Sequence, residues 1–383
     1  MRVAVVGLGV MGLPAAAELA ARGHEVLALD RAEIGNRLAS SSGASRIFRL
    51  AHPAPGWVRM AVWNHELWER LERDAGEPLR WRRGLIWTGD TARDIATALE
   101  WESVEHEMLD QRRQADLFPE LRWGPERLAL WQPDAGAVMA DRSLAAVLDL
   151  LERRGGRLEA GVTVTSIEPT SSGVHLDAAR GEERVSFNVD RVVLAAGPWA
   201  RPMLRDLGVE IALNPYLEQV TYVRGGDHVP WADRPCLVDP PSDASSFGFY
   251  ALPTPGIGYK IGVDDPIAAF EPASLDRTPL PEREREAVEW IAREVPSFDA
   301  SPIRSEVCAW TNSPDGAFVI DRVGDVIFGC GDSGQGFKFL PMFGQVLADL
   351  IEDRPLPEAV RDDLATLGAD RFAQRPGTVG EAV

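Results

Sequence analysis

Three groups of residues in this chain have types and spacings that do chemistry. The first is Gly7-Leu8-Gly9-Val10-Met11-Gly12, a G-x-G-x-x-G run directly after the apolar segment Arg2 to Val6. That pattern cradles a pyrophosphate: Gly7 permits a sharp turn, Gly9 lets the backbone approach phosphate, and Gly12 lets the next helix pack closely. The second is Arg46 and Arg49, three residues apart. Arginine grips carboxylates and phosphates with a planar fork, although a pair of surface salt bridges explains the two equally well. The third is Lys260, a cation inside the alternating apolar run Gly258-Tyr259-Lys260-Ile261-Gly262. It faces either a pocket or, as an exposed edge-strand lysine, the solvent.

The elements that must position these groups are legible from periodicity. Arg2 to Val6 reads as a buried strand, Met11 to Arg22 as the helix whose N-terminus meets the phosphates, and Gly23 as its end. A second strand, Glu25 to Leu29, finishes in Asp30, 18 residues after Gly12, where a carboxylate can accept from a ribose diol; Arg31 follows it. The motif alone does not choose between a nicotinamide and a flavin dinucleotide. Residues 57 to 74 carry a helical apolar stripe, Leu85 to Thr88 reads as a strand, and Thr91 to Arg113 as helical. Ser143 to Gly155 is helical, Val162-Thr163-Val164 opens a strand into a hairpin spanning Ile167 to Phe187, and Arg191 to Ala196 is a buried strand ending at Gly197-Pro198-Trp199. Small residues at Ala196 and Gly197 let backbone approach a flat ligand. Residues 215 to 265 read as strands, with 249–253 and 258–262 as a hairpin pair, and Pro279 to Val295 as a surface helix. A strand-rich second half favours the flavin. Near the end, a strand at Asp325 to Phe328 meets Gly329 to Phe339, rich in glycine, and then a helix from Met342 to Ile351.

Composition sets the outer bounds. The 383 residues are 45% hydrophobic and 26% charged, ordinary for a globular protein of about two to three domains. A net charge of −19 disfavours nucleic acid and anionic membranes as partners. Cys236, Cys308 and Cys330 are too few and too dispersed for a disulfide framework or a zinc site, which implies a reducing, cytoplasmic setting. The opening apolar run is broken by glycines and used by the nucleotide motif, so no cleaved signal is expected, and no run approaches the ~20 apolar residues of a membrane span.

Four stretches, in order along nearly the whole chain, resemble the monomeric sarcosine oxidase and N-methyltryptophan oxidase family, within the D-amino-acid oxidase-like superfamily. They are Gly7 to Asp30; Arg46-Ile47-Phe48-Arg49; Cys308-Ala309-Trp310-Thr311 with Pro314-Asp315 and Phe318-Val319-Ile320-Asp321; and Gly334-Gln335-Gly336-Phe337-Lys338-Phe339. The resemblance implies an α/β (α+β) fold. A Rossmann-like FAD-binding domain would comprise 1–80, 143–213 and 300–383. A substrate domain on a large, mostly antiparallel sheet would comprise 81–142 and 214–299. It implies oxidation of a secondary or cyclic amino acid with release of hydrogen peroxide, FAD joined covalently to Cys308, Lys260 at the oxygen site, and Arg49 with Lys338 on the substrate carboxylate. Arg46 falls beside the flavin ring, Val164 on the strand that meets the adenine, and Tyr250 in the pocket lining. Val10, Met11, Ser41, Ser42, Ser45, Gln335, Gly336 and Phe337 complete the implied cofactor contacts. Two positions depart from the family: Asp264 stands where a histidine is usual, and Ser41-Ser42 where a histidine pair is. An aspartate there suits a second ammonium or a hydroxyl on a larger substrate. The expected partners are a small amine or amino acid and O2, with the protein a monomer or weak homo-oligomer. A flavin dehydrogenase with another electron acceptor and a nicotinamide-dependent reductase are the alternatives.

Overall fold

The computed structural model describes residues 1–124, 126–241 and 247–372; the end of the 300–383 segment, from 373, lies outside them. Its first layer follows from the alternation in Arg2–Val6. Val3 and Val5 pack with Leu13, Ala16 and Leu347, while Ala4 and Val6 pack with Val162, Val174 and Leu176. A strand buried on both faces needs cover on both. That cover is three helices, Gly12–Ala21, Ala140–Arg153 and Leu340–Ile351, on one side, and a small antiparallel sheet on the other. The sheet between them has six strands in the order Val319–Val323, Val326–Cys330, Arg191–Leu194, Arg2–Val6, Glu25–Asp30 and Arg157–Ala160. Only the first runs antiparallel to its neighbour.

A second, nine-stranded sheet is mostly antiparallel, as expected; its one parallel contact joins Cys236–Asp239 to Leu85–Thr88. The expected hairpin pair is Gly248–Thr254 with Gly258–Asp264. Pro302–Asn312 pairs along Asn214–Val223 in this sheet, so the 300–383 segment begins in the large sheet before it returns to the parallel one. Alternation again separates two faces. Tyr259, Ile261 and Val263 pack with Phe249, Trp290 and Ile291, under the helix Pro281–Glu294. Lys260 and Asp264 point the other way, into a cavity.

Three sequence expectations change. The Thr91–Arg113 stretch is not one helix but Ala92–Trp101, a two-residue strand Glu107–Met108 and a short helix Gln111–Leu117. Glu107–Met108 pairs with residues of Ala129–Gln132, a tertiary contact that local periodicity does not report. The hairpin after Val164 is a three-stranded sheet, Val162–Thr170, Gly173–Arg180 and Glu183–Val189. The helix expected from Met342 starts at Leu340, after a 3-10 turn over Gly336–Phe339.

Candidate active site

The glycine turn is locked by steric closeness. Gly7 has φ +88°, and a Cβ there would lie 2.4 Å from the Ala195 carbonyl oxygen; one at Gly12 would lie 1.9 Å from the Gly7 oxygen. Gly9 leaves room for Ser41, whose Oγ accepts from the Val10 amide at 2.8 Å. The Asp30 carboxylate accepts from the amides of Leu8 (2.7 Å) and Ala32 (3.0 Å), so it ties the turn to the end of the second strand. Burial pushes that carboxyl upward, against these two hydrogen bonds. Around the turn lies a cavity of about 340 Å³, lined by Gly7, Gly9, Val10, Met11, Asp30, Arg31, Ser41, Val164, Ala196, Gly197 and Trp199. The Arg31 guanidinium stacks on Trp199, 4.7 Å from the ring centre.

This cavity shares Val10, Ser40, Ser41 and Asp332 with a second one of about 300 Å³. The second is lined by Arg46 on a small three-stranded sheet and Arg49 just after it, by Tyr250, Lys260 and Asp264 on the large antiparallel sheet, and by Gly334, Gln335, Phe337 and Lys338 in the turns that follow the parallel sheet. Neither bland reading of the cations holds. Lys260 is 2% exposed in a strand paired on both sides, and its Nζ donates to the Ser45 carbonyl at 2.7 Å. Burial, and then Arg46, lower it to about 7. Arg49 donates to the Ala51 carbonyl, stacks 5.0 Å from the Trp87 ring centre, and is lowered by burial to about 10. Lys338 donates to the Gln335 carbonyl at 3.2 Å and is driven well down by burial and by Arg49. Among the described residues, none of Arg46, Arg49, Lys260 and Lys338 forms an ion pair within 4.0 Å. Lys260 and Lys338, buried, and Arg49, partly buried, make a wall without counter-ions among the described residues, one that suits an anion.

Five expected cofactor residues stand behind these walls and do not line them. Gly12 packs the helix. Ser42 donates to the Ala39 carbonyl, and its own carbonyl accepts from Arg46 at 2.5 Å. Ser45 hydroxyl pairs with Thr254 at 2.7 Å, while its carbonyl holds Lys260. Gly336 allows close approach of Asp332, 2.9 Å from where its Cβ would be. Cys308 is buried; burial raises its thiol, while nearby Arg46 and Lys260 oppose that rise.

Other site residues were not picked out from the sequence. Asp332 lines both cavities and is raised to about 6 by burial, opposed by its backbone hydrogen bonds and Arg46. Trp310 covers Gly334 so closely that a Cβ would sit 2.2 Å from its ring; Tyr250, which the resemblance already placed in the pocket lining, likewise lies over Gly262, at 2.1 Å. Glu218 is buried in the strand beside them. A glycine in a strand and a carboxylate in an apolar strand are the signals that would have found them.

A glycine turn at the carboxyl end of a parallel sheet, opening through a shared wall into a cation-lined cavity, is the arrangement of a dinucleotide-dependent oxidoreductase. Residues 2–350 match the FAD dependent oxidoreductase family, and the chain belongs to it. The amide-rich turn, Asp30 and the joined cavities fit FAD. Among relatives, a monomeric sarcosine oxidase of Streptomyces avermitilis is 30% identical over 363 residues, covering 91% of this chain and 92% of that protein. N-methyl-L-tryptophan oxidase of Escherichia coli is 24% identical, covering 91% and 94%. The solved structure of NikD, described as an unusual amino acid oxidase essential for nikkomycin biosynthesis, superposes with TM-score 0.83 at 27% identity, covering 94% of this chain and 96% of that one. Among the described residues, no helix is long and apolar enough to cross a membrane.

Proposed function

We propose that the chain is an FAD-dependent oxidase of a secondary or cyclic amino acid, working in the cytoplasm, with O2 as electron acceptor and hydrogen peroxide as product. One observation carries this reading: Arg49, partly buried, and Lys338, buried, line the same cavity as Lys260 without a counter-ion among the described residues. An uncharged amine would leave both cations unsatisfied; a carboxylate satisfies them. Segments 1–80, 143–213 and 300–383 would form the FAD-binding domain, which also lends Arg49 and Lys338 to the substrate, and 81–142 with 214–299 the substrate domain.

When bound, FAD accepts hydride from the carbon next to the substrate nitrogen, and the imine that leaves hydrolyses in water. Arg49 offers a two-pronged hold on the carboxylate and Lys338 a point charge, which orient the substrate. Tyr250 forms an adjoining wall, and Asp264 offers an acceptor to a second polar group. Lys260 holds a proton on Nζ where oxygen gains negative charge, an electrostatic contribution fixed in advance. Gly7, Gly9, Val10, Met11, Asp30, Arg31 and Ser41 would hold the pyrophosphate and ribose; Val164, Ala196, Gly197 and Trp199 the adenine; and Arg46, Gly334, Gln335, Phe337 and Lys338 the ring end, with Ser42, Ser45 and Gly336 supporting them from behind. Cys308, near Arg46 and Lys260, is the proposed point of covalent attachment.

The test is a screen of N-methyl and cyclic amino acids beside the matching amines that lack a carboxylate, measuring peroxide. Acids should turn over and the amines should not. A charged hydrogen bond is worth roughly 1.5–3 kcal/mol, so Arg49→Ala should weaken carboxylate binding about tenfold to a hundredfold or more. Arg49→Lys should recover only part of it, keeping the charge and losing the fork. Equal turnover of acids and amines, unchanged in Arg49→Ala, would sink the amino-acid reading.

A further inference from the structure

Glu218 is a buried carboxyl with no hydrogen-bond or ion-pair partner among the described residues. It is 2% exposed, its Oε1 makes no hydrogen bond, and it forms no ion pair among the described residues. It also lies on the active face of the large sheet. The two strands pair at Val220↔Gly262, and alternation from that pair puts Glu218 and Asp264 on the same face just beyond it, before the register slips and Leu217 meets Ala268; on its other side Glu218 pairs with Cys308. Opposed residues in an antiparallel ladder share a face, so Cys308 also stands on that side of the sheet. Asp264 lines the cavity in front; Glu218 stands behind it.

The charges facing Glu218 come from every neighbouring element. Asp264 and Asp265 end one adjoining strand, Cys308 is on the other, Tyr250 is one strand further, and Tyr216 is on its own strand. The one cation among them, Arg283, is already committed to Asp265 (2.6 Å) and Glu286 (2.7 Å). Burial first, then Asp264 and Asp265, hold the Glu218 carboxyl up to about 9, so it is neutral at ordinary pH. Two acids that cannot both ionise behave as a pair carrying one proton.

We propose that Glu218 is the proton-holding member of an acid pair with Asp264, and that a cationic substrate nitrogen entering beside Asp264 expels that proton. The step is an ionisation: the Glu218 O–H bond breaks, the carboxylate keeps the electron pair, and the proton passes to solvent. Glu218 is thus a positioning residue acting through Asp264. It makes this wall answer to positive charge, opposite in sign to the Arg49–Lys338 wall. The inference rests on the amino-acid reading above.

Two ligands with one carbon skeleton test it on the FAD-loaded enzyme. 2-Aminoisobutyrate carries an ammonium and no α-hydrogen to give up; 2-methylpropanoate lacks the ammonium. Each is titrated calorimetrically at neutral pH in two buffers of different ionisation enthalpy, which counts protons released per ligand bound. Proton uptake at Lys338 or Arg49 is common to both ligands and cancels in the difference. Wild type should release more protons with 2-aminoisobutyrate, approaching one more per site. Glu218→Gln, which cannot ionise, should abolish the difference and bind the amino acid several-fold more weakly, with little change for 2-methylpropanoate. Glu218→Asp, which keeps an acid there, should retain part of the release, and melting temperature and FAD content establish that both variants fold. A difference that survives in Glu218→Gln means the proton comes from the ligand's own ammonium or from Asp264, and overturns the assignment. If 2-methylpropanoate fails to bind wild type, the amino-acid reading itself falls and takes this inference with it.

Discussion

Lys260 shows how one side chain depends on its burial. A solvated lysine is charged throughout the neutral range; this one, enclosed in the sheet beside Arg46, is lowered to about 7. Its remaining hold is the Ser45 carbonyl, 2.7 Å away, with the Tyr222 ring centre at 5.8 Å. A group lowered in this way loses its proton as pH rises, so the cation available to oxygen decreases from the acid to the alkaline side of neutrality. Reoxidation of the reduced enzyme by O2 should therefore slow as pH rises, while Lys260→Met should be slow at every pH and show no such trend. Anaerobic reduction by substrate should change far less in the variant, because the proposed hold on substrate lies with Arg49 and Lys338. Stopped-flow measurement of the two half-reactions separates them. An unaltered oxygen rate in Lys260→Met would remove the lysine from the mechanism and favour a dehydrogenase with another acceptor.

At the scale of elements, the proposed carboxylate hold of Arg49 and Lys338 is braced from outside by the helix Pro55–Ala75. Asn64 Nδ2 (2.6 Å) and Trp68 Nε1 (2.7 Å) both donate to the Lys338 carbonyl, and Asn64 Oδ1 accepts from the Met342 amide at 3.2 Å. Asn64→Ala leaves a buried amide unpaired and should cost about 1–3 kcal/mol of stability. It should also weaken carboxylate binding several-fold without contact with the ligand; a stable variant with unchanged affinity would show that the turn at Gly336–Phe339 holds itself. Such a helix was legible as an apolar stripe, yet what it positions was not, since Asn64 and Lys338 are remote in sequence. The pattern holds generally. Gly7 to Asp30 and the strands around Lys260 were readable because turn chemistry and alternation are local. Glu218, Asp332 and the pairing of Glu107–Met108 were missed because they acquire meaning only when distant strands meet. For Lys260 the residue type was a clear signal, but its facing depended on both strand neighbours being present.

The whole molecule is organised along a seam. One cavity belongs to the parallel sheet and the other reaches the large antiparallel sheet, and they meet at Val10, Ser40, Ser41 and Asp332. A dinucleotide lying along that seam would touch both bodies of the protein, so its binding should stabilise the fold as a unit. Cys308→Ala makes this measurable. With the proposed attachment point removed, FAD should wash out in acid or mild denaturant, leaving a protein that can be reloaded; wild type should stay yellow after acid precipitation. A ligand that binds only the folded chain adds RT ln(1 + [L]/Kd), about 2.7 kcal/mol at a hundredfold excess over Kd and about 1.4 for each further factor of ten. The melting temperature of the stripped variant should thus climb steadily with the logarithm of free FAD, in a single transition. Gly7→Ala in the same background, strained at φ +88° and 2.4 Å from the Ala195 oxygen, should be less stable and should lose that climb. If wild-type flavin is released by acid, the covalent attachment is wrong while the seam still stands. If stripped Cys308→Ala melts at one temperature whatever the FAD concentration, the seam is not where the cofactor lies.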